Sequence, residues 1–223
     1  SLVFHLNDSP SVGTEDYRRY VESFAREVLY LLNNTPCNKI TLWLCGRALW
    51  GLSKINAKIL SEIKTKTIQE QIEWLGGGFY DPLFPLLPVK SQKLQIKEHQ
   101  DLLDKTLGVS SRGVWLSSFV WEDSLIDLFS REGFEYTVLK DYQIQNHLWK
   151  YPTDKGYWTV EDRGQVLRVL SSQARLFQQF RDREFGGMCD TLFSQSGAQN
   201  YFTLDLPFMR HSKGHYEGFW FEF

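Results

Sequence analysis

Short apolar runs alternate along this chain with segments of helical periodicity, and this alternation constrains the fold more than any other feature. The runs at Lys39–Cys45, Gly113–Glu122 and Tyr136–Leu139 have the apolar, β-branched and aromatic character of buried parallel strands. Between them, Tyr17–Leu32 and Gln92–Leu107 repeat apolar residues at the spacing of a helix face. Parallel strands need a crossover connection, usually a helix, so the alternation predicts an α/β fold with a parallel sheet.

The rest of the pattern extends this prediction to the whole chain. Further strands are predicted at Ser1–His5, Gln165–Leu170 and Tyr201–Leu206, and further helices at Ile55–Lys64, Thr67–Glu73, Asp123–Glu132 and Tyr216–Phe223. Tyr151–Asp162 is predicted to be irregular. No linker, repeat or low-complexity tract interrupts the sequence, so residues 1–223 are predicted to form one domain. The last helical pattern runs to the final residue, which predicts that the C-terminal part of a longer chain is absent.

Charge and cysteine usage exclude several classes of partner. The 25 basic and 27 acidic side chains nearly balance, so neither nucleic acid nor a membrane is predicted as a partner. Cys37, Cys45 and Cys189 form no disulfide framework, and we predict reduced cysteines in a cytoplasmic protein. His211 and His215 have the spacing of a helical metal pair, but a glycine between them disfavours a helix and no third ligand is evident. No metal is predicted, and the sequence does not define the oligomeric state.

Several polar segments follow the predicted carboxyl ends of strands, where parallel α/β folds place their functional side chains. These segments are His5–Asp8, Gly76–Asp81, Ser117–Glu122, Asp141–Gln143 and the residues from Asp205 onward. Aromatic residues make up 15% of the chain, and a flat aromatic ring packs well on the C–H face of a sugar. Trp115 and Trp121 are therefore predicted to line a cleft, while most other aromatic residues fill the core.

The most informative segment runs from Gly113 to Trp121 and reads Gly-Val-Trp-Leu-Ser-Ser-Phe-Val-Trp. It resembles the Gly-Val-Trp-Leu-x-Glu-Arg-Val-Trp motif of glycoside hydrolase family 57, the family of α-amylases and 4-α-glucanotransferases. In that family the Glu attacks the sugar as the nucleophile. Ser118 stands at the position of the Glu here, and Phe119 stands at the position of the Arg.

Two earlier segments resemble further motifs of the same family. The start of the chain is similar to His-x-His-Gln-Pro, with His5 at the first His, Asn7 at the second and Asp8 at the Gln. Gly77–Pro82 is similar to Gly-Phe-Tyr-Glu-Pro, with Asp81 in place of the Glu. Both segments keep the apolar and glycine positions of the pattern and change polar ones.

Two later segments complete the resemblance. An Asp-Asp-Tyr-His turn is matched by Asp141 and Tyr142, with Lys140 at the first Asp and Gln143 at the His. The strand that ends at Asp205 is similar to the family strand that carries the catalytic acid. Five motifs in the family order carry the resemblance through most of the chain.

The resemblance implies a fold, a partner and a set of site residues. It implies an incomplete (β/α)7 barrel with parallel strands, an α-1,4-glucan or maltooligosaccharide as partner, and a reaction without a cofactor. Retaining glycosidases need two carboxyl groups about 5–5.5 Å apart. Asp205 is the acid/base candidate, whereas Ser118 is not competent as nucleophile, because a hydroxyl is weak until a base removes its proton. The residues expected to bind substrate are His5, Asn7, Tyr80, Asp81, Trp115, Trp121, Asp141 and Tyr142.

Several functions stay open at this level. The changed positions gather in the predicted cleft, which favours a glucan-related pseudoenzyme with catalysis absent or strongly reduced. An active retaining glycosidase or glucanotransferase would need Asp205 as acid/base and a relocated nucleophile such as Asp8 or Asp81. A non-catalytic structural or regulatory subunit is a further alternative. A metal-dependent polysaccharide deacetylase is disfavoured, because its Asp and His ligand motifs are not visible in the sequence.

Overall fold

A computed structural model describes the backbone over residues 2–6, 14–34, 39–147, 157–172 and 204–207. Side chains are described over residues 5–6, 17–34, 39–144 and 157–172. The predicted helix Tyr216–Phe223 and the candidate residues Asn7 and Asp8 lie outside these ranges. His211 and His215 lie outside them as well.

Eight strands form one sheet over the described residues. They are β1 (Leu2–Leu6), β2 (Ile40–Leu44), β3 (Ile72–Gly76), β4 (Gly113–Val114), β5 (Tyr136–Lys140), β6 (Tyr157–Asp162), β7 (Gln165–Ser172) and β8 (Leu204–Pro207). Their order is β6-β7-β5-β4-β3-β2-β1-β8. Only β6 and β7 pair antiparallel, and every other neighbouring pair is parallel. The predicted parallel α/β fold is confirmed, although within the described ranges the sheet is open, with β6 and β8 at its edges, rather than closed into a barrel.

Helices connect the parallel strands. They are α1 (Thr14–Asn34), α2 (Gly46–Leu52), α3 (Ala57–Ile68), α4 (Val89–Leu107), α5 (Ser124–Arg131) and α6 (Asp141–His147). The Asn56 side chain accepts a hydrogen bond from the Lys58 N–H and so caps the start of α3. Gly108 ends α4 in the left-handed conformation with φ of 76°, which a side chain would disfavour.

Two clusters of apolar side chains fix the helices on the sheet. The larger joins residues of β1, β2 and β3 to residues of the first four helices. The smaller centres on Phe129 of α5, whose ring meets those of Phe84 and Phe134 edge-on at 5.3 and 6.0 Å. Burial of one such ring contributes about 1.5–3 kcal/mol. The clusters thereby hold the carboxyl ends of the strands in fixed relative positions.

Several local predictions are wrong. The helix predicted over Thr67–Glu73 does not form, because α3 ends at Ile68, Glu70 takes a left-handed φ of 57° and β3 begins at Ile72. The apolar-polar alternation of β6 belongs to a hairpin with β7, although that segment was predicted to be irregular. Its turn is Arg163–Gly164, both with positive φ, a pattern that matches the twist of paired strands. The short helices α2 and α6 were not predicted either.

Candidate functional site

Four aromatic rings stack in a column near the carboxyl ends of β1, β2 and β4. His5 stacks on Trp115 with centroids 4.5 Å apart, and Trp115 stacks on Trp43 at 5.8 Å. Trp43 stacks in turn on His99 of α4 at 6.3 Å, with planes only 12° apart. We call these four residues the ring column. His5 is the member with intermediate exposure, and the other three are buried, so the column runs from the edge of the sheet into the core.

His99 anchors the inner end of the ring column. Its Nε2 lies 2.8 Å from the carbonyl oxygen of Leu44, so Nε2 carries the proton and donates. Burial lowers the pKa of His99 to about 4, which keeps the ring neutral at physiological pH. A neutral ring packs against Trp43 without the desolvation cost of a buried charge.

Two glycines allow the segment that follows β3 to pack closely, Gly77 against the ring column and Gly46 against Phe79. A Cβ at Gly77 would lie 2.7 Å from Nε1 of Trp43 and 3.2 Å from the carbonyl oxygen of Trp115. A Cβ at Gly46 would lie 2.6 Å from the ring of Phe79. The Gly-Gly-Phe-Tyr segment therefore serves close packing between the end of β3 and the column. Among the described residues, neither indole N–H of the column, on Trp43 or Trp115, has a hydrogen-bond partner.

The chain turns sharply just after β4, where a longer strand was predicted. Only Gly113–Val114 pairs as strand, and Ser117–Phe119 forms a single 3₁₀ turn. Ser118 and Phe119 both take left-handed backbone conformations, with φ of 51° and 56°. Such conformations cost about 1–3 kcal/mol each and persist only where the surroundings hold them. The prediction of a continuous strand over Gly113–Glu122 is therefore wrong, and Ser118 is exposed at the tip of a turn.

Three residues that depart from the family motifs contact one another beside this turn. Lys140, the last residue of β5, places its Nζ 4.4 Å from the centroid of the Phe119 ring. The Gln143 side chain donates to the carbonyl oxygen of Phe119 at 2.7 Å and accepts from the Lys140 N–H at 3.0 Å. The Phe119 ring meets Trp115 edge-on at 5.0 Å. Phe119, Lys140 and Gln143, which we call the substituted triad, thus hold the strained turn against the ring column.

Trp121 stands apart from the ring column. It is partly buried and packs on the smaller core cluster, and its Nε1 donates to Oδ1 of Asp123 at 3.1 Å. The Asp123 carboxylate makes no capping bond to α5. The structure therefore does not join Trp121 to Trp115, although the sequence predicted that both line one cleft.

The other predicted binding residues lie on neighbouring strand ends. Tyr80 is 64% exposed after β3, and Asp81 follows it with a left-handed φ of 50°. Tyr142 is 53% exposed at the start of α6, where its N–H donates to the Asp141 side chain at 2.8 Å. All four residues belong to the same edge of the sheet as the ring column. Their part in binding stays a prediction.

The acid/base candidate lies beside the strand of His5. Asp205 is the second residue of β8 and pairs in register with Val3, while Pro207 pairs with His5. The described part of Asp205 is its backbone. Its catalytic role therefore stays a prediction.

Sequence reasoning missed two members of the column, Trp43 and His99. Trp43 lies within an apolar strand run, where a tryptophan is indistinguishable from an ordinary core residue. His99 is a polar residue on the buried face of α4, together with Ile96 and Leu103. A polar residue within the apolar face of a helix is the one sequence signal that could have identified His99.

A cavity lies at the opposite, amino-terminal edge of the sheet. Its volume is about 660 Å³, and it is lined by Lys39, Thr41, Glu73, Arg112 and other residues at the starts of β2, β3 and β4. In barrel-like folds this edge serves stability, whereas the carboxyl edge carries function. The site is therefore assigned to the carboxyl edge.

Two features of the described residues bear on metals and membranes. Within that part of the chain, no group of three His, Cys, Asp or Glu side chains could hold a metal ion. None of the helices described combines the length and the apolar character needed to cross a bilayer.

Comparison of the sequence with known families and with curated proteins shows one family. The sequence profile of Glycosyl hydrolase family 57 matches residues 3–185. Alpha-amylase 1 of Dictyoglomus thermophilum is 30% identical over 189 residues, which cover 82% of this chain and 27% of that protein. The 4-alpha-glucanotransferase of Thermococcus litoralis is 28% identical over 183 residues, which cover 79% of this chain and 27% of that protein.

A solved structure shows the same fold. The crystal structure of 4-alpha-glucanotransferase from Thermococcus litoralis superposes with a TM-score of 0.77 and 20% identity, over 92% of this chain and 32% of that chain. The present chain thus spans about a quarter of the length of the curated relatives that it matches.

Proposed function

Because this chain belongs to Glycosyl hydrolase family 57, we propose that it binds α-1,4-glucan or maltooligosaccharides with catalysis absent or strongly reduced. The observation that carries the proposal is Ser118, at the motif position of the nucleophile, on an exposed left-handed turn. A retaining mechanism needs a carboxylate there, both to attack the sugar and to stabilise the positive charge of the transition state. A neutral hydroxyl supplies neither function.

The substituted triad supports the same proposal. The three substitutions contact one another and pack against the turn, so the altered site is a consistent packing arrangement rather than a single damaged position. A carboxylate restored at position 118 would still have the substituted residues Lys140 and Phe119 beside it, so the rest of the altered site would remain. Loss of the nucleophile from a two-carboxylate site raises the activation barrier by several kcal/mol. The rate then falls by on the order of 10³-fold or more.

The ring column supports glucan binding. His5 is the partly exposed member of the ring column, at the edge where α/β folds bind ligands, and sugars stack on aromatic rings; the buried Trp115 ring supports His5 from below. In the proposal, Asn7, Tyr80, Asp81, Trp121, Asp141 and Tyr142 complete the binding surface.

Two alternative functions compete with this proposal. An active retaining enzyme would use Asp205 as acid/base and a carboxylate such as Asp81, after β3, as a relocated nucleophile. A structural or regulatory subunit would bind no glucan at all. We also propose a cytoplasmic location, supported by a sequence with only three cysteines and no disulfide framework, and one domain over residues 1–223.

The test is incubation of the protein with maltoheptaose, followed by chromatography of the products. The proposal predicts binding with no shorter or disproportionated products. Turnover by the unmodified protein would establish the active alternative, and absence of binding would favour the structural one.

A matched pair of variants sharpens this test. Ser118→Glu restores a carboxylate at the nucleophile position, and Ser110→Glu places the same charge on an exposed serine before β4, at the opposite edge of the sheet. Any activity gained by Ser118→Glu alone would locate the catalytic position at the turn. Equal activity of both variants and the unmodified protein would place catalysis elsewhere.

A further inference from the structure

The cavity at the amino-terminal edge of the sheet has the size of a small-molecule site, and we call it the amino-edge cavity. Its volume of about 660 Å³ falls within the roughly 300–1,000 Å³ that is typical of ligand pockets. It lies at the starts of β2, β3 and β4, whereas the ring column lies near the carboxyl ends of strands. A five-residue strand such as β2 is about 15 Å long, so a ligand in this cavity is separate from one at the ring column.

The floor of the amino-edge cavity is apolar. Ile40, Ile72 and Trp74 line it and are only 1–4% exposed. The one polar atom of the Trp74 ring, Nε1, donates to Oγ1 of Thr67 at 3.0 Å, and this hydroxyl donates to the carbonyl oxygen of Ile63 at 2.9 Å. The floor therefore satisfies its own polar groups and presents carbon surface to a ligand.

Two charged side chains at the rim are each held by one partner and keep further bonding capacity. Oε1 of Glu73 accepts from the Tyr136 hydroxyl at 2.8 Å, and a carboxylate has about four acceptor sites. Arg112 donates from two nitrogens to the Glu135 carboxylate, while a guanidinium carries five N–H donors. The Arg112 side chain is 68% exposed. The rim thus offers a positioned acceptor and a positioned donor to a ligand in the cavity.

The charges around the rim balance, which favours a neutral ligand. Lys39 and Arg112 are basic, and Glu70 and Glu73 are acidic, so the cavity has no excess of one sign to attract an ion. A hydroxyl group both donates and accepts, so a ligand with several hydroxyls can bond to Glu73 and Arg112 at once. Its C–H groups can meet the apolar floor at the same time. A sugar combines these two properties.

Building on the proposed function, we infer that the amino-edge cavity is a second glucan-binding site, which takes a neutral maltooligosaccharide through hydroxyl contacts to Glu73 and Arg112. The candidate site at the ring column and this cavity then bind separate glucan segments. Two sites that hold one long chain raise its overall affinity through effective concentration. Such an arrangement suits a protein that holds glucan without cleaving it.

The experiment is a titration of the whole chain with maltotetraose, followed by nuclear magnetic resonance of two indole N–H signals. The Trp74 signal reports on the floor of the amino-edge cavity, and the Trp115 signal reports on the ring column beneath His5. We expect both signals to shift. A shift of Trp115 alone would overturn the inference and leave the proposed function standing. A shift of Trp74 alone would support the inferred site and contradict the proposed binding at the carboxyl edge, and a shift of neither would overturn both.

A blocking variant locates the effect in the amino-edge cavity. Ser110→Trp fills the cavity from its exposed rim, and Ser61→Trp places the same side chain at an exposed position of α3 outside it. We expect the shift of Trp74 on titration to disappear in Ser110→Trp and to persist in Ser61→Trp. A shift that persists in both variants would overturn the inference.

Glu73→Gln tests the hydroxyl contacts themselves, because glutamine can still accept from Tyr136 but lacks the negative charge. We expect it to weaken the binding followed at Trp74 by about tenfold or more, since hydrogen bonds to charged groups are the stronger ones. Unchanged affinity would contradict the inference, and this variant decides if Ser110→Trp fails to fold by circular dichroism. A shift of Trp74 with the free amino acid glutamine and none with maltotetraose would assign the cavity to a zwitterion and would also overturn the inference.

Discussion

Replacement of His99 by glutamine tests the inner end of the ring column through its pH dependence. The His99 ring is buried against Trp43, and burial lowers its pKa from 6.5 to about 4. At about 1.4 kcal/mol for each pKa unit, that decrease corresponds to a cost on the order of 3 kcal/mol for protonating the folded state. Glutamine does not titrate in this range, and its amide can still donate to the Leu44 carbonyl oxygen.

The direction in which stability changes with pH follows from the number of protons that each state binds. Below pH 6.5 the unfolded chain protonates this histidine, whereas the folded chain does so only near pH 4. Between these values the unfolded state binds more protons, so the stability contributed by a neutral His99 is present above pH 6.5 and is lost as pH falls toward 4.

The assay is urea unfolding of the unmodified protein and of His99→Gln at several pH values from 7 to 4. Taking the difference between the two proteins removes the titration of groups that they share, including Glu27, whose pKa is raised by burial. We expect the stability advantage of the unmodified protein over the variant to shrink by on the order of 3 kcal/mol across this range. A difference that is constant with pH would refute the neutral, buried state of His99.

Three further substitutions test the packing around the site, each by chemical unfolding. Trp43→Ala empties the centre of the ring column and should lower the free energy of unfolding by about 3–5 kcal/mol; a loss below 1 kcal/mol would contradict the burial of this ring. Gly76→Ala directs a Cβ to within 2.6 Å of the Phe134 ring and should cost about 1–3 kcal/mol, whereas an unchanged stability would show that the ring moves aside freely. Gln143→Leu removes the bonds to Phe119 and Lys140 and should cost about 1–3 kcal/mol; no loss would mean that the turn is held by other contacts.

Periodicity was sufficient to predict the class of fold, because parallel strands and their crossover helices leave strong patterns. The strand Lys39–Cys45 and the helix Gln92–Leu107 were predicted within a few residues of β2 and α4. The β6–β7 hairpin was missed because its signal is a two-residue turn, Arg163–Gly164, rather than a long period. Elements with a long hydrophobic period were predicted correctly, whereas the element defined by a short turn was missed.

The site was predictable only in part, for a related reason. Motifs located Trp115, Ser118 and Lys140 along the chain, but apolar runs do not reveal where a strand ends. The strand predicted through Glu122 turns at Ser118 instead, since two left-handed residues are held there by tertiary contacts that no local pattern records. His99 is brought to Trp43 across 56 residues of chain, and only the fold makes that contact visible.

The central claim is that the site binds glucan without cleaving it. One nuclear magnetic resonance experiment on a mixture of the protein and maltoheptaose tests both parts. Saturation transfer from protein to sugar reports binding, and the anomeric proton signals report any new reducing ends or altered chain lengths. We predict saturation transfer together with an unchanged anomeric region after prolonged incubation. New anomeric signals in the presence of the unmodified protein, or no saturation transfer at all, would contradict the account.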